Sequence, residues 1–173
     1  MSHDTTTRAV MESSHELTGS MLSEALPYIQ RFAGKIVVVK YGGNALAGSS
    51  DVDAASTFAR DIALMHAVGI KPVVVHGGGP QINAELKSRN IESTFVNGYR
   101  FTTDEIFDVV DEVLSKVVGP EVANNLILAG VNAQAISGKQ SEVLFAEGID
   151  GLGKVGRVIR VDVSSIDQLV EKK

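Results

Sequence analysis

Two runs of apolar, mostly β-branched residues, each ending in a cluster of glycines, constrain the fold more than any other feature of this sequence. The first run reads KIVVVKYGG and the second reads KPVVVHGGG. Continuous apolar runs of this kind are typical of strands that are buried on both faces of a parallel sheet. Residues 51–68 carry apolar side chains at helical spacing and are followed by Gly69, a helix-stop signal. The strand–helix–strand order predicts an α/β fold in which helices cover both faces of a parallel sheet.

The region before the first run divides into a polar tail and a helix. Residues 1–18 are polar and aperiodic, which predicts a disordered tail. Residues 19–33 repeat apolar side chains at helical spacing and predict an N-terminal helix that is kinked or restarts at Pro27 and ends at Gly34. Residues 34–173 then form the main domain, which is long enough to bury a hydrophobic core.

The sequence after the second glycine cluster predicts a hairpin followed by helices. Asn97 and Gly98, at the centre of residues 95–100, favour the type I′ turn that matches the twist of paired strands. Thr102 and Glu105 have the spacing of a capping box at the start of the next helix. The apolar face of that helix is broad, so we expect it to be either deeply buried or partly used at a subunit interface. A further helix is predicted over residues 120–130.

The C-terminal part of the sequence predicts strands and a short helix. Residues 132–137 read as a short strand, residues 142–148 and 156–163 as a second β pair, and Ser164 as the cap of a last helix. Residues 151–156 match the dinucleotide fingerprint G-x-G-x-x-G, but they lie between two strands, so we interpret them as a turn. Residues 148–154 match G-x-x-x-x-G-K, but Val155 follows where a P-loop needs Ser or Thr.

Composition excludes or disfavours several classes of function. The sequence has no cysteine, so disulfides and thiolate metal sites are excluded, and its four histidines show no metal-ligand spacing, so no metal site is predicted. The net charge of −5 disfavours nucleic acid as a partner. The HGGG string occurs in esterases, but the G-x-S-x-G nucleophile elbow is missing. No apolar run is long enough to span a membrane and the N-terminus lacks a secretory signal, so we expect a cytoplasmic protein.

The two glycine clusters predict one anion-binding site. The carboxyl ends of neighbouring parallel strands meet at the same edge of a sheet, and ligands bind there in open α/β folds. Successive glycine amides can form a concave anion site, and the helix that starts near Pro80 would point its positive end towards it. The alternative is that Gly42, Gly43 and residues 77–79 are only tight turns. We expect His76 to bond the loop backbone rather than to act in catalysis.

Two cations accompany the glycines. Lys40 precedes the first cluster and suits the stabilisation of charge that develops during phosphoryl transfer. Arg100, on the predicted hairpin, carries a planar fork that suits a carboxylate. Taken singly, either residue is more often a solvated surface residue. Together with the glycines, they predict a site for a small anionic molecule that carries two negative groups or a phosphate.

Three strings of the sequence resemble the N-acetylglutamate kinases of the amino acid kinase family: LSEALPYIQRFAGKIVVVKYGGNA, KPVVVHGGGPQIN and FVNGYRFTTDEIFDVV. The resemblance covers residues 22–170 and is closest up to residue 118. It implies a three-layer αβα sandwich with a mostly parallel sheet, of which residues 34–173 are the N-terminal, substrate-binding lobe. It also implies the family's activity, the transfer of a phosphoryl group from MgATP to the side-chain carboxylate of N-acetyl-L-glutamate in arginine biosynthesis.

The resemblance further implies roles for individual residues. The family's transition-state lysine corresponds to Lys40, and the glycines beside the phosphate correspond to Gly42 and Gly43. The amides that hold the substrate correspond to Gly78 and Gly79. The arginine that binds the substrate's α-carboxylate corresponds to Arg100. The helix after Thr102 resembles the family's dimer interface. The N-terminal helix resembles an extension that joins dimers into a hexamer, so we expect a homo-oligomer.

Departures from the family pattern limit this expectation. The pattern near Lys139 usually continues with Asp-Gly, whereas this sequence continues with Gln140 and Ser141. The family uses ATP and Mg²⁺, but its nucleotide-binding half has no counterpart in these residues. We therefore expect a lobe that binds N-acetylglutamate weakly and does not turn over ATP by itself. Two other hypotheses remain: a non-catalytic half-length paralogue that associates with or regulates a full-length kinase, and an unrelated anion-binding module.

Overall fold

The structure is a computed structural model that describes residues 3–42 and 52–171. Within these ranges the helices are α1 (His3–Phe32), α2 (Val52–Ala67), α3 (Gly79–Ser88), α4 (Asp104–Glu112), α5 (Gly119–Leu128) and α6 (Ser164–Glu171). The strands are β1 (Ile36–Tyr41), β2 (Lys71–His76), β3 (Phe95–Val96), β4 (Tyr99–Arg100), β5 (Leu144–Gly148) and β6 (Gly156–Val161). A π-helical segment, Val113–Val118, joins α4 to α5. None of the described helices is long and apolar enough to cross a membrane.

Strands β1 and β2 pair in parallel, with helix α2 as the crossover between them. The register places Val38 beside Val73 and Tyr41 beside His76, so both strands end at the same edge. The N–H of Gly77 continues the ladder by donating to the carbonyl oxygen of Tyr41 (3.0 Å). The α/β class and the shared edge of the two glycine clusters are therefore confirmed.

The described helices cover the two faces of this parallel pair unequally. Helix α2 packs on β2 and on α5, where Ala59 and Ile62 are buried. On the other face Val38 is 65% exposed and Val75 is 51% exposed. Among the described residues, helices therefore leave this face of the parallel pair largely exposed. Strands that are apolar along their whole length are typically buried on both faces. The described helices pack on only one face of this pair.

The hydrophobic core lies where α4, the π-helical segment and α5 pack against α2 and α3. Its most buried side chains are Leu86, Val109 and Val118. The broad apolar face of α4 is thus used mainly inside the chain, although Val117 in the π-helical segment that follows is half exposed. Of the two expectations for this helix, deep burial is the one that the structure bears out.

The N-terminal helix begins at His3 rather than near residue 19, so the prediction of a disordered tail over residues 1–18 is wrong for the described backbone. The prediction relied on polar composition. However, residues 3–18 contain no proline or glycine that would stop a helix. The helix also passes through Pro27 without restarting, since a proline removes only one helical N–H. Gly34 follows with a φ of 74°, as expected after a helix end.

The predicted turn of the hairpin is confirmed, whereas the predicted cap of α4 is displaced by one residue. Asn97 and Gly98 have φ values of 51° and 82° between β3 and β4, consistent with the predicted type I′ turn. The cap of α4 is Thr103, whose hydroxyl oxygen accepts from the N–H of Ile106 (3.2 Å), so the capping box at Thr102 is wrong. Thr102 is instead occupied by a contact with another loop.

The last part of the chain contains the predicted β pair, since β5 and β6 run antiparallel. The predicted strand over residues 132–137 is absent, since these residues pair with no described strand. Ser164 is the first residue of α6 rather than its cap, and its N–H donates to a carboxylate oxygen of Asp162 (3.0 Å). The glycine string of residues 151–156 connects two strands, which confirms its interpretation as a turn.

Candidate anion-binding site

The candidate site lies at the edge where β1 and β2 end and α3 begins. Gly42 follows β1, Gly77 and Gly78 follow β2, and α3 starts at Gly79 with Pro80 in its first turn. The first helical hydrogen bond runs from the N–H of Ile82 to the carbonyl oxygen of Gly78 (2.8 Å). The amides of Gly78 and Gly79 precede this bond and therefore have no partner within the helix. They supply the donors and the positive helix end that the sequence predicted here.

The adjacent glycines of this loop have different surroundings. A Cβ on Gly78 would stand 2.6 Å from Cδ2 of Leu114, so a side chain there would have to displace the end of Leu114. A Cβ on Gly79, or on Gly42, would meet nothing within 4 Å. Packing within the described residues therefore leaves room for a side chain at Gly42 and Gly79. Gly43, the other predicted phosphate-binding residue, lies outside the described residues.

Lys40 stands two residues before Gly42, in register with Val75. Its side chain is exposed and forms no ion pair with any described residue. Pairing in the sheet fixes its backbone at the edge, while the side chain stays free to move towards an anion. Such a lysine acts as a mobile point charge rather than as a fixed fork.

Arg100 is half buried, and its guanidinium is held by neutral groups. Nη2 donates to Oδ1 of Asn83 (2.7 Å), Nη1 donates to Oγ of Ser93, and the guanidinium carbon lies 4.7 Å from the ring centre of Phe95. No described carboxylate forms an ion pair with it. Burial lowers the pKa of the Arg100 guanidinium, in line with a partly desolvated charge that lacks a counter-ion.

Asn83 connects Arg100 to the glycine loop. Asn83 lies on α3, about one helical turn beyond Gly79. The hydrogen bond from Arg100 therefore places the guanidinium beside the first turns of the helix whose N-terminus opens the site. Sequence reasoning missed both Asn83 and Ser93, since a single amide on a helix and a single serine in a loop give no pattern. A groove of about 450 Å³ that both residues line runs along this side of α3.

The last residues of the two strands, His76 and Tyr41, make contacts within the chain. Nδ1 of His76 donates to the carbonyl oxygen of Gly77 (3.1 Å), the loop bond that the sequence analysis preferred to a catalytic role. Tyr41 is buried and stacks on Phe58 with ring centres 3.8 Å apart. Its hydroxyl has no hydrogen-bond partner among the described residues. Burial, and secondarily the charge of Glu121, raises the pKa of Tyr41.

These features define an α/β protein with a candidate site for a small anion at the carboxyl edge of parallel strands. Residues 35–173 match the sequence model described as the amino acid kinase family. The match covers most of the chain, and the chain belongs to that family.

Two curated relatives of the chain are acetylglutamate kinases. The chain is 48% identical over 158 residues to an acetylglutamate kinase of Marinomonas sp. (strain MWYL1), covering 83% of this chain and 51% of that protein. It is 49% identical over 153 residues to an acetylglutamate kinase of Paracoccus denitrificans (strain Pd 1222), covering 88% of this chain and 49% of that protein. The chain thus spans about half the length of the curated relatives it matches.

Solved structures support the same fold. A crystal structure of smu.665 from Streptococcus mutans UA159 matches with a TM-score of 0.69 and 29% identity, covering 79% of this chain and 54% of that one. An N-acetylglutamate synthase from Neisseria gonorrhoeae, solved with coenzyme A and N-acetyl-glutamate, matches with a TM-score of 0.68 and 21% identity. That match covers 87% of this chain and 34% of the synthase, and it bears on the fold alone.

Proposed function

We propose that this chain is the acceptor-binding, N-terminal part of an acetylglutamate kinase. The reaction would transfer a phosphoryl group from ATP to the side-chain carboxylate of N-acetyl-L-glutamate, a cytoplasmic step of arginine biosynthesis. The family membership and the shared name of the relatives support this assignment. The arrangement of Arg100 and the glycine loop supports the part of the reaction given to this chain.

The observation that carries the proposal is the uncompensated charge of Arg100. A partly buried guanidinium loses hydration, and neutral acceptors such as Asn83 and Ser93 do not replace a counter-ion. Among the described residues, side chains engage two of its five N–H donors, which leaves three for a ligand. A carboxylate matches that remaining demand in charge and in planar geometry, and the α-carboxylate of N-acetyl-L-glutamate would supply it.

The glycine loop would hold the other end of the acceptor. The amides of Gly78 and Gly79 stand at the N-terminus of α3, where a negative group is stabilised by the helix dipole. Gly79 also leaves open space, so a ligand atom can approach the backbone closely. In the reaction these donors would orient the side-chain carboxylate for in-line attack, which is a positioning role.

Lys40, Gly42 and Gly43 would act on the phosphoryl group. Phosphoryl transfer needs positive charge and amide donors where negative charge develops, and Lys40 stands beside Gly42 at the end of β1. ATP would supply the transferred group, and Lys40 with the Gly42 amide would contact that phosphoryl group. The described residues contain no cluster of three or more metal-ligating side chains, so we assign no Mg²⁺ ligand to them.

Calorimetric titration of the chain with N-acetyl-L-glutamate tests this proposal. We expect saturable binding that Arg100→Met weakens by about tenfold or more, because a charge-assisted bidentate contact is lost. Arg89→Met is the matched control, since Arg89 is an exposed arginine that pairs with Glu85 and Glu112. Binding of inorganic phosphate without any binding of N-acetyl-L-glutamate would contradict the proposal and favour an unrelated anion-binding module.

We further propose that the chain forms a homo-oligomer through α1. The helix exposes a row of large apolar side chains, with Met21, Leu22 and Tyr28 each more than 60% exposed. Such a row on a helix that makes few contacts with the rest of its own chain is typical of a surface that pairs with another copy. A dimer through α4 has less support, because Ile106 and Val109 on this helix are already buried inside the chain.

A further inference from the structure

The loop of residues 151–156, called here the glycine loop of the β5–β6 hairpin, packs against the chain just after Arg100. The N–H of Thr102 donates to the carbonyl oxygen of Leu152 (3.1 Å), and the N–H of Lys154 donates to the carbonyl oxygen of Thr102 (2.7 Å). Leu152 is itself buried, and Lys154 pairs with Asp104 at the start of α4 (2.8 Å). This loop is therefore docked on both sides of Thr102.

Gly153 is the residue that allows this close approach. Its φ is 69°, and a Cβ on it would stand 2.1 Å from the carbonyl oxygen of Thr102. Gly151 has a similar φ of 77°, yet a Cβ there would meet nothing within 4 Å. The two glycines of the loop thus share a turn conformation, and only Gly153 is also needed for contact with Thr102.

Thr102 passes this contact on to Arg100. Its hydroxyl donates to the carbonyl oxygen of Arg100 (2.8 Å), and its side chain is only 8% exposed. On the other side, the N–H of Phe101 donates to the carbonyl oxygen of Thr94 (2.9 Å). The backbone of residues 100–102 is consequently held by Thr94 on one side and by the glycine loop of the β5–β6 hairpin on the other.

We infer that the glycine loop of the β5–β6 hairpin is a positioning element for Arg100. It sets the place of the Arg100 backbone through Thr102, while Asn83 and Ser93 orient the guanidinium. A displacement of the backbone by a fraction of an ångström misaligns a bidentate contact with a carboxylate. This inference rests on the proposed function for the identity of the ligand, and on the structure alone for the contact between the loop and residues 100–102.

The test compares Gly153→Ala with Gly151→Ala in the full chain. Each variant is titrated with N-acetyl-L-glutamate and with the analogue whose α-carboxylate is replaced by a carboxamide. We expect Gly153→Ala to weaken binding of the acid by about tenfold and to leave binding of the amide unchanged, because only the acid uses the charge of Arg100. Gly151→Ala should leave the ratio of the two affinities as it is in the unsubstituted chain. A merely structural role would change both affinities by the same factor.

A second pair of variants keeps the test informative where Gly153→Ala does not fold. Thr102→Val removes the hydroxyl that bonds the Arg100 carbonyl, and Thr102→Ser retains it. We expect the valine variant to lower the acid-to-amide affinity ratio and the serine variant to preserve it. Equal ratios in both variants and in the unsubstituted chain would overturn the inference.

Hydrogen exchange separates failure of this inference from failure of the proposed function. Gly153→Ala, or Thr102→Val in its place, should speed exchange of the amides of Phe101 and Thr102, whereas Gly151→Ala should not. Unchanged exchange at these two amides would contradict the positioning role whether or not the ligand binds. A chain that shows the expected exchange but binds no N-acetyl-L-glutamate would contradict the proposed function and leave the contact intact.

Discussion

Leu114 fills the space that a side chain on Gly78 would need, because its Cδ2 atom would be 2.6 Å from a Cβ on Gly78. Leu114 belongs to the π-helical segment between α4 and α5, a type of distortion that is frequent at functional sites. The wider turn of this segment lies directly against the glycine loop after β2. Gly78 is therefore a glycine for reasons of packing, whereas its neighbour Gly79 is not.

Gly78→Ala is expected to destabilise the fold. The added methyl group meets Leu114 and Val118 in a buried position, and overpacking of this kind costs about 1–3 kcal/mol. The free energy of unfolding from urea denaturation measures the effect. The double variant Gly78→Ala with Leu114→Ala should lose less than the sum of the two single variants, because the methyl group then enters vacated space. Simple additivity would show that the two residues do not compete for this volume.

Gly79→Ala is expected to have the opposite profile. A Cβ at this position meets no described atom, and alanine favours the first turn of α3 by up to about 1 kcal/mol over glycine. Stability should therefore stay the same or rise. Affinity for N-acetyl-L-glutamate, measured by calorimetry, should fall by about tenfold because the methyl group enters the space of the ligand. A variant that binds as tightly as the unsubstituted chain would place the ligand elsewhere.

Asn83→Asp tests the neutrality of the groups that hold Arg100. Aspartate keeps a side-chain oxygen within reach of Nη2 but adds a negative charge that neutralises the guanidinium. We expect the fold to remain stable and affinity for N-acetyl-L-glutamate to fall by about tenfold or more. Glu85→Gln is a useful control, since it alters a charge on the same helix next to Arg89 instead of Arg100. Equal or tighter binding in Asn83→Asp would contradict a carboxylate-binding role for Arg100.

Tyr41→Phe tests the buried hydroxyl beside Lys40. Because this hydroxyl has no partner among the described residues, its removal should leave stability at pH 7 unchanged or raise it by up to about 1 kcal/mol. Burial raises the pKa of Tyr41, so its contribution to stability is fully present below the ordinary tyrosine value near 10 and is lost as pH rises through the raised value. The variant should therefore lose less stability than the unsubstituted chain as the pH rises above about 10.

The matched control for this measurement is Tyr99→Phe, because Tyr99 is exposed. Urea denaturation at several pH values gives the stability, and absorbance of the phenolate follows the titration. A loss of more than about 1 kcal/mol in Tyr41→Phe at pH 7 would reveal a hydrogen-bond partner for the hydroxyl.

Leu22→Glu tests the proposed contact through α1. A charge in the middle of the exposed apolar row should shift the molecular mass, measured by size-exclusion chromatography with light scattering, towards the monomer. Gln30→Glu adds the same charge at another exposed position of the helix and should leave the mass unchanged. A monomeric unsubstituted chain would contradict the proposal directly.

The sequence predicted the local elements of this fold well, for physical reasons that act over short distances. Asn97 and Gly98 adopt positive φ values because these two residue types tolerate them at low cost. The hairpin could therefore be predicted from its own residues, without knowledge of the rest of the fold. The parallel pairing of β1 and β2 followed from two apolar runs and the helix between them. The cap of α4 was displaced from Thr102 to Thr103 because a distant loop occupies Thr102.

The sequence by itself thus predicted that two strands end in glycines at one edge, and it proposed Lys40 and Arg100 as cations for that edge. Only the tertiary structure decided why each glycine is present and what holds Arg100. Gly78, Gly79 and Gly153 are identical in the sequence, yet one meets Leu114, one meets open space and one meets the Thr102 carbonyl. The physical reason is that the need for a glycine depends on which atoms a side chain would meet there. Those atoms come from segments far along the chain.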